Sequence, residues 1–228
     1  GGRKPLNLVD MSGDTPVSHT LDLPSHSGLL AEFTASGSHL AVHLGNGEIY
    51  HGALPAPGSA SGAVKLRRIF HTPVSLVRLA LSPDGQWLAA TGKGSQVFIL
   101  PLNEENPVPV PQFLTKGTGW GLNFSPDGKW LGASGTGRTI HLWRMDAIRS
   151  GMPPVLLHGM SSTVGHLQIA PGNDSVAAVG YGSVVRRWKF DGVSAGAMPR
   201  HVATGGLGVN DFSVSPDGEW VAAACDTL

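Results

Sequence analysis

Two histidines stand four residues apart, His39 and His43, in a stretch with the pattern of a β-strand. Because an even spacing places both side chains on one face of a strand, the pair could supply two ligands to a metal ion. A protein metal site needs a third ligand, and none is evident near the pair. We therefore interpret both histidines as packing or surface residues, and the sequence predicts neither a metal nor a cofactor.

Two charged runs could also bind ligands. The acidic run NEEN (Asn103–Asn106) has too few carboxylates for a calcium loop and is interpreted as a solvated loop. The basic run KLRRIF (Lys65–Phe70) is interpreted as an outer strand, whose charges discourage edge-to-edge pairing, rather than as an anion or partner site. Glycine clusters such as GKG and TGGLG precede no helical pattern, so a phosphate-binding loop is unsupported.

Serine, histidine and aspartate are plentiful, but no catalytic constellation joins them. The one Gly-x-Ser-x-Gly sequence, Gly192–Gly196, precedes no helical pattern, whereas an elbow that carries a nucleophilic serine needs a strand-to-helix turn. Asp84, Asp127 and Asp217 each follow a serine by two residues in a repeated SPDG tetrapeptide, and such repetition indicates turn structure. The sequence therefore predicts a protein that is not an enzyme.

Composition narrows the classes of partner and compartment. Sixteen Lys and Arg residues balance sixteen Asp and Glu residues, which gives no electrostatic basis for binding nucleic acid or an anionic membrane. No apolar stretch approaches the roughly 18 residues of a membrane span, and no signal peptide is present. Cys225 is the single cysteine, so an internal disulfide is excluded. We expect a cytoplasmic location.

The elements that must position any site come from a repeat. Three segments are nearly identical: LALSPDGQWLAATG (Leu79–Gly92), LNFSPDGKWLGASG (Leu122–Gly135) and FSVSPDGEWVAAAC (Phe212–Cys225). Two degenerate copies, FTASGSHLAV and IAPGNDSVAAV, fall in the same period, and the spacings are 48, 43, 45 and 45 residues. The first turn residue of each copy serves as its anchor: Thr34, Ser82, Ser125, Ala170 and Ser215.

A period of about 45 residues is typical of a four-stranded propeller blade. Apolar and more polar residues alternate before each anchor, which predicts a first strand, and a tight turn leads to a second strand such as WLAATG. A third strand (SQVFILPL) and a looser fourth (PVPQFL) complete the unit, with no helical stretch. We predict an all-β fold, a β-propeller of four-stranded antiparallel blades within one domain, residues 1–228. The predicted units are 4–28 (partial), 29–75, 76–118, 119–162, 163–206 and 207–228 (partial).

With these motifs the chain resembles the WD-repeat β-propeller family over nearly all of its length. The SPDG turns, TIHLWRM (Thr139–Met145) and LLHG (Leu156–Gly159) are similar to the family's turn, its Trp-Asp strand and its Gly-His junction. Two tryptophans of the third strands, Trp143 and Trp188, are followed by Arg and Lys, so no Trp-Asp pair is present. Other propellers with SPDG turns, such as the TolB-like group, remain an alternative.

The resemblance also implies a hydrogen-bond network of His, Asp, Ser or Thr and Trp in each blade. One unit has Ser134 and Trp143 but no histidine at the corresponding place, and the next has His158 and Trp188 but Val179 in place of the hydroxyl. We therefore expect these blades to depend more on apolar packing.

Both ends of the sequence correspond to parts of a blade. Pro5–Gly28 aligns with the third and fourth strands of a unit, and the last residues align with the first and second strands. The two parts could combine into a closed five-bladed ring, or the chain could be a segment of a longer propeller or multidomain protein. The absence of an initiator methionine and the rarity of five-bladed rings in the family favour the segment.

The resemblance implies a protein-interaction scaffold or a sensing module of a larger signalling protein, which binds a protein or peptide on one rim. Remaining blades or effector domains of the same full-length protein are further expected partners. One alternative is a hydrolase-like or lactonase-like enzyme with a channel site at Glu32, His166, Gln168 and Asp211, and another is a set of purely structural blades. Trp120 could also pack between blades instead of serving the rim. By repeat position, the rim would carry Arg78, Trp120, Arg138, His166, Tyr181 and Asp211.

Overall fold

The described residues fold mainly as β-strands that are joined by turns and connecting loops. The computed structural model describes residues 7–24, 28–114, 116–181, 184–190, 199–202, 209–215 and 217–225. It contains four consecutive four-stranded antiparallel sheets, here called blades 1 to 4, with a partial sheet before them and another after them. The all-β fold and the four-stranded antiparallel blades predicted from the sequence are confirmed.

The strands follow the repeat along the chain. The N-terminal half-blade consists of β1 (Asn7–Asp10) and β2 (Val17–Asp22). Blade 1 contains β3 (Gly28–Phe33), β4 (His39–Leu44) and β5 (Glu48–Ala53), then a short β6 (Ala63–Lys65) in the connection, and β7 (Arg67–His71). Blade 2 contains β8 (Leu76–Leu81), β9 (Trp87–Gly92), β10 (Gln96–Pro101) and β11 (Val110–Phe113).

The later blades also consist of four strands each. Blade 3 contains β12 (Gly119–Phe124), β13 (Trp130–Gly135), β14 (Ile140–Arg144) and β15 (Val155–Leu157). Blade 4 contains β16 (Val164–Ile169), β17 (Ser175–Gly180), β18 (Val185–Lys189) and β19 (Arg200–Val202). The C-terminal half-blade consists of β20 (Val209–Val214) and β21 (Val221–Cys225).

From blade 2 onwards, apolar residues of the first strand pack against the preceding blade. Leu167 and Ile169 of β16, for example, share a core with Ile140 and Leu142 of blade 3. The first strands of successive blades also contact one another, from β3 through β8, β12 and β16 to β20. Each fully buried aliphatic side chain contributes about 1.5–3 kcal/mol, so these shared cores hold the stack of blades together.

The tight turns after the first strands match the prediction in chemical detail. The Ser125 hydroxyl donates to Asp127 (2.7 Å) and accepts from the Trp130 N–H (2.9 Å), and Gly128 adopts a φ of 73°. In the degenerate copy at Ala170, Asn173 takes the place of this glycine with a φ of 55°. The turn therefore survives where the SPDG motif does not, because asparagine tolerates the left-handed region.

One prediction was wrong, because a six-residue 3₁₀ helix (Met145–Ser150) follows β14 where no helical stretch was expected. Met145 and Ile148 lie three residues apart, so the threefold turn of this helix directs both into the core between blades 2 and 3. Gly151, with a φ of 75°, ends the helix.

The connection between β5 and β7 leaves its own blade. Within it, β6 pairs in parallel with β2, so the N-terminal half-blade becomes a three-stranded sheet in the order β1-β2-β6. Among the described residues, β20 and β21 form a separate two-stranded sheet. The two partial sheets, which would share a blade in a closed five-bladed ring, are therefore not paired with each other. Parts of the predicted units 4–28 and 207–228 lie outside the described residues.

Candidate functional site

A β-bulge recurs at the same place in every repeat. The pairing between first and second strands shifts by one residue, and the residue five positions before each anchor is left out of the register. A bulge bends the strand and redirects the side chains beside it. The residue that follows the bulge is Arg78 in blade 2, Gly121 in blade 3, His166 in blade 4 and Asp211 in the C-terminal half-blade.

Three of these residues form a polar chain across the blades. Arg78 Nη2 lies 3.2 Å from His166 Nε2, and His166 Nδ1 lies 3.2 Å from Asp211 Oδ1. Because arginine can only donate, this geometry assigns the acceptor role to Nε2 and directs Nδ1 at the carboxylate. The chain therefore links a guanidinium, an imidazole and a carboxylate from three separate sheets.

Blade 3 lies between the blades of Arg78 and His166 and contributes no side chain to this series of polar contacts. Gly121 occupies the equivalent position there, and a Cβ on it would lie 2.3 Å from Ser134 Oγ. Arg78 of blade 2 reaches His166 of blade 4 across this blade, and Arg78 Nε donates to the Trp120 carbonyl at 3.3 Å.

Two aromatic rings complete the cluster. Trp120 is the bulged residue of β12, and its ring meets Tyr181 edge-on, with centroids 6.4 Å apart and an interplanar angle of 82°. Trp120 is half-buried and lies outside the cores between blades, while Tyr181 is 64% exposed. Together with Arg78 and His166 the rings line a cavity of about 160 Å³. We call Arg78, Trp120, His166, Tyr181 and Asp211 the rim surface.

The structure thus brings together five of the six rim residues predicted from the sequence. The sixth, Arg138, is exposed in the turn between β13 and β14 and has a φ of 60°. Within the part of the chain that the structure describes, Arg138 shares no hydrogen bond, ion pair or ring contact with the rim surface.

The side chains considered for a channel site mostly connect blades. Gln168 Oε1 accepts the Val214 N–H at 2.9 Å, and its Nε2 donates to the Val214 carbonyl at 3.4 Å. Asn123 Oδ1 accepts the Ile169 N–H at 3.0 Å from the corresponding position one blade earlier. These amides satisfy edge groups of the next first strand. Sequence reasoning missed Asn123, although it lies two residues before its anchor, as Gln168 does.

Glu32 occupies this same position in β3 but is ionisable. Burial raises the pKa of its carboxyl, and the nearby Arg78 guanidinium opposes that rise. Glu32 therefore extends the charged cluster of the rim surface towards blade 1.

The other singled-out groups have structural contacts. His39 stacks on His51 with centroids 5.3 Å apart, and His43 is buried in β4. Within the described ranges, no three His, Cys, Asp or Glu side chains are grouped so that they could hold a metal ion. Arg68 of the basic run pairs with Glu48 at 3.0 Å, as expected for an outer strand.

The NEEN loop connects neighbouring segments. Arg67 donates to the main-chain carbonyls of Glu104 and Glu105, and Arg149 of the 3₁₀ helix pairs with the Glu104 carboxylate at 2.6 Å. These contacts give the acidic run a role in packing blade 1 and the 3₁₀ helix against blade 2.

Two larger cavities, of about 490 and 560 Å³, lie at the other end of the first strands, beside the turns. They share Trp130 and Arg144. Lys129 pairs with Asp127 (3.1 Å) and Arg144 with Asp146 (2.6 Å), while Asp84 accepts from the Ser82 hydroxyl and the Gln86 N–H. Sequence reasoning did not anticipate these cavities, which depend on the 3₁₀ helix. Their compensated charges make them weaker candidates than the rim surface.

Serial four-stranded antiparallel sheets whose first strands contact one another define a blade-repeat protein of the propeller class. A comparison with protein-family models matches residues 117–144 and 195–228 to the WD domain, G-beta repeat. These two segments match WD repeats, as the turns and strands predicted. A comparison with curated proteins found no match. WD repeats commonly act as protein-interaction modules and are typically non-catalytic. In the described residues, no helix has the length and apolar character needed to span a membrane.

Proposed function

We propose that the chain is a non-catalytic scaffold or sensing module that binds a protein or peptide through the rim surface. The observation that supports this proposal is the convergence of Arg78, Trp120, His166 and Tyr181 around one cavity, with Asp211 of a further sheet paired to His166. Exposed aromatic and arginine side chains of this kind are enriched at binding hot spots.

The charges favour a basic segment as the ligand. Arg78 is engaged by His166 and the Trp120 carbonyl and lies close to Glu32. The Asp211 side chain is 65% exposed, so its carboxylate can accept a lysine or arginine from a partner. The faces of Trp120 and Tyr181 would add cation–π attraction to the same group.

We further infer that the module works inside a cytoplasmic signalling protein, with additional blades or effector domains as partners. The WD-repeat match and the single cysteine support this context. A hydrolase-like channel site has less support, because Gln168 is committed to the main chain of β20.

A peptide-binding measurement tests the rim surface. Fluorescein-labelled peptides that carry a central lysine or arginine, and matched peptides with glutamate there, are titrated against the chain by fluorescence anisotropy. We expect the basic peptides to bind more tightly than the glutamate peptides. Trp120→Ala or Asp211→Asn should lower the affinity for the basic peptides about tenfold or more, which corresponds to a hot-spot loss of roughly 1.4 kcal/mol or more.

Arg138→Ala is the matched control, because Arg138 is an exposed cation outside the cluster. If the Asp211 and Trp120 variants retain the affinity of the control, the rim surface is not the binding site. That result would favour purely structural blades.

A further inference from the structure

The outer strand of blade 3 covers only part of its neighbour. The pairing of β14 with β15 ends where Leu142 lies opposite Val155. The next two residues outward on the β15 side are Pro154 and Pro153. Because proline has no main-chain N–H, the pairing stops there, and the last two residues of β14 keep an open outer edge.

This open edge borders the cavity of about 490 Å³ beside the turns, here called the blade 3 cavity. Its walls are mainly apolar and include Trp130, Leu142, Ile148, Met152 and Val155. Small-molecule sites in proteins usually have volumes of about 300–1,000 Å³ and apolar walls of this kind. Blade 3 has a complete blade on either side, so the cavity does not depend on the partial sheets.

The blade 3 cavity contains a buried hydrogen-bond donor that has no acceptor. Trp143 lines the cavity and is 2% exposed, and within the described part of the chain its Nε1–H donates to no group. The tryptophan at the same position of blade 4, Trp188, donates its indole N–H to the His158 carbonyl at 2.8 Å. Because an unpaired buried donor is unfavourable, a ligand that supplies an acceptor would gain affinity at Trp143.

A main-chain donor faces the same edge. The Met145 N–H donates to the Lys129 carbonyl on the β13 side at 2.8 Å. Successive residues of a strand direct their N–H groups to opposite sides, so the Arg144 N–H points away from β13 and towards the open edge. Arg144 lines the blade 3 cavity, and its N–H can donate to a bound acceptor.

The charge at the blade 3 cavity is already compensated. The Arg144 guanidinium donates twice to Asp146, from Nε at 3.1 Å and from Nη2 at 2.6 Å. His158, the other titratable side chain of the lining, is exposed. The cavity therefore offers donors without a free charge, which favours an uncharged acceptor over an anion, whose desolvation would not be repaid.

We propose that the blade 3 cavity binds an uncharged, mostly apolar small molecule through a carbonyl oxygen. The carbonyl accepts from the Trp143 indole N–H and the Arg144 main-chain N–H, and the apolar body packs against Trp130, Ile148 and Val155. This site lies at the opposite end of the first strands from the rim surface. It gives the chain a ligand-binding function that is separate from peptide binding.

Titrations with three related probes test the proposal. 2-Naphthamide joins a two-ring apolar body to an uncharged carbonyl, naphthalene lacks the carbonyl, and 2-naphthoate carries a charge. Binding is followed in two-dimensional NMR spectra through the indole N–H signals of the six tryptophans, with the Trp143 signal assigned from its loss in Trp143→Phe. We expect 2-naphthamide to shift the Trp143 signal and to bind about tenfold more tightly than either comparison probe.

Two variants, each with a matched control, locate the site. Trp143→Phe keeps an aromatic ring but removes the N–H, and it should lower the affinity for 2-naphthamide about tenfold while the affinity for naphthalene is unchanged. Trp188→Phe is its control, because the Trp188 N–H already has an acceptor. Val155→Trp should fill the cavity and abolish binding of 2-naphthamide, and Val110→Trp, at the same position of blade 2, should not.

Three outcomes would overturn the proposal. Equal affinities for naphthalene and 2-naphthamide would contradict the role of the carbonyl, and tighter binding of 2-naphthoate would contradict an uncharged ligand. A Trp143 signal that stays unchanged in the unaltered chain would exclude the site, whatever the folding of the variants. Peptide binding at the rim surface, tested with Trp120→Ala, is independent of all three results.

Discussion

Blade 3 and the C-terminal half-blade carry almost the same sequence motif, but the strand after the turn is buried in blade 3 and largely exposed in the half-blade. LNFSPDGKWLGASG of blade 3 and FSVSPDGEWVAAAC of the half-blade form the same turn. In each turn the serine hydroxyl accepts the tryptophan N–H, at 2.9 Å for Trp130 and 3.0 Å for Trp220. Every residue of β13 is buried, whereas the residues of β21 alternate between exposed and half-buried.

The comparison separates what a repeat encodes locally from what its neighbours supply. Hydrogen bonds within the turn need only the serine, the aspartate and the glycine, so they form in both places. Burial of the tryptophan and of the small residues after it requires a third strand and an adjoining blade. In a stack of repeats, stability is therefore a sum of intrinsic and interface contributions.

The largest expected difference between the two regions is at the tryptophan. Trp130→Ala removes a side chain that is 8% exposed and meets Phe190 edge-on at 4.7 Å, so we expect a loss of about 3–5 kcal/mol in the free energy of unfolding. Trp220→Ala removes a side chain that is 75% exposed, and we expect the free energy of unfolding to change by no more than about 0.5 kcal/mol. Urea unfolding followed by circular dichroism measures both. Equal losses would show that Trp220 is buried in solution.

Lowering the pH should destabilise the complete blades more than the C-terminal half-blade. Burial lowers the pKa of His51 in blade 1 and of His141 in blade 3 to about 4, from the usual 6.5. Because the unfolded chain binds protons first, stability falls as the pH drops from about 6.5 to about 4, by up to roughly 3 kcal/mol for each histidine.

Hydrogen exchange at pH 7 and pH 4.5 locates the effect. After correction for the slower intrinsic exchange at the lower pH, weaker protection is expected at pH 4.5 in β4, β5 and β14, with a smaller change in β20 and β21, whose described segments contain no histidine. His51→Gln should reduce the pH dependence, and His201→Gln, at an exposed position, should leave it unchanged. Uniform loosening of all strands at pH 4.5 would contradict the assignment.

The distinction between local and neighbouring contributions also explains which features the sequence predicts. The period and the turn residues located the strands, and the shared repeat position of Arg78, His166 and Asp211 predicted that they would lie on one rim, but not the hydrogen bonds between them. The bulges were not predicted, because the residues left out of register, such as Val77 and Trp120, have no common side chain.

Nonlocal features were also missed. The pairing of β6 with β2 joins segments that are far apart in sequence, and no turn residue signals it. The importance of Gly121 could not be read from the repeat, because it depends on Ser134 of the next strand and Leu167 of the next blade, which leave no room for a Cβ. Features of this kind arise from packing between units rather than from the pattern within one unit.

The smallest expected difference lies in the turns themselves. Ser125→Ala leaves the Trp130 N–H without its hydroxyl partner at a place where Ser125 and Trp130 are both buried, and we expect a loss of about 1–3 kcal/mol. Ser215→Ala removes the same bond where Trp220 is exposed and water can replace the hydroxyl, so a loss of about 0.5–1 kcal/mol is expected. Ser95→Ala, outside these turns, is the control for urea unfolding. If the two turn variants lose equal stability, the turn acts independently of its neighbours, and the contrast between the regions is confined to the tryptophan and the strand that follows it.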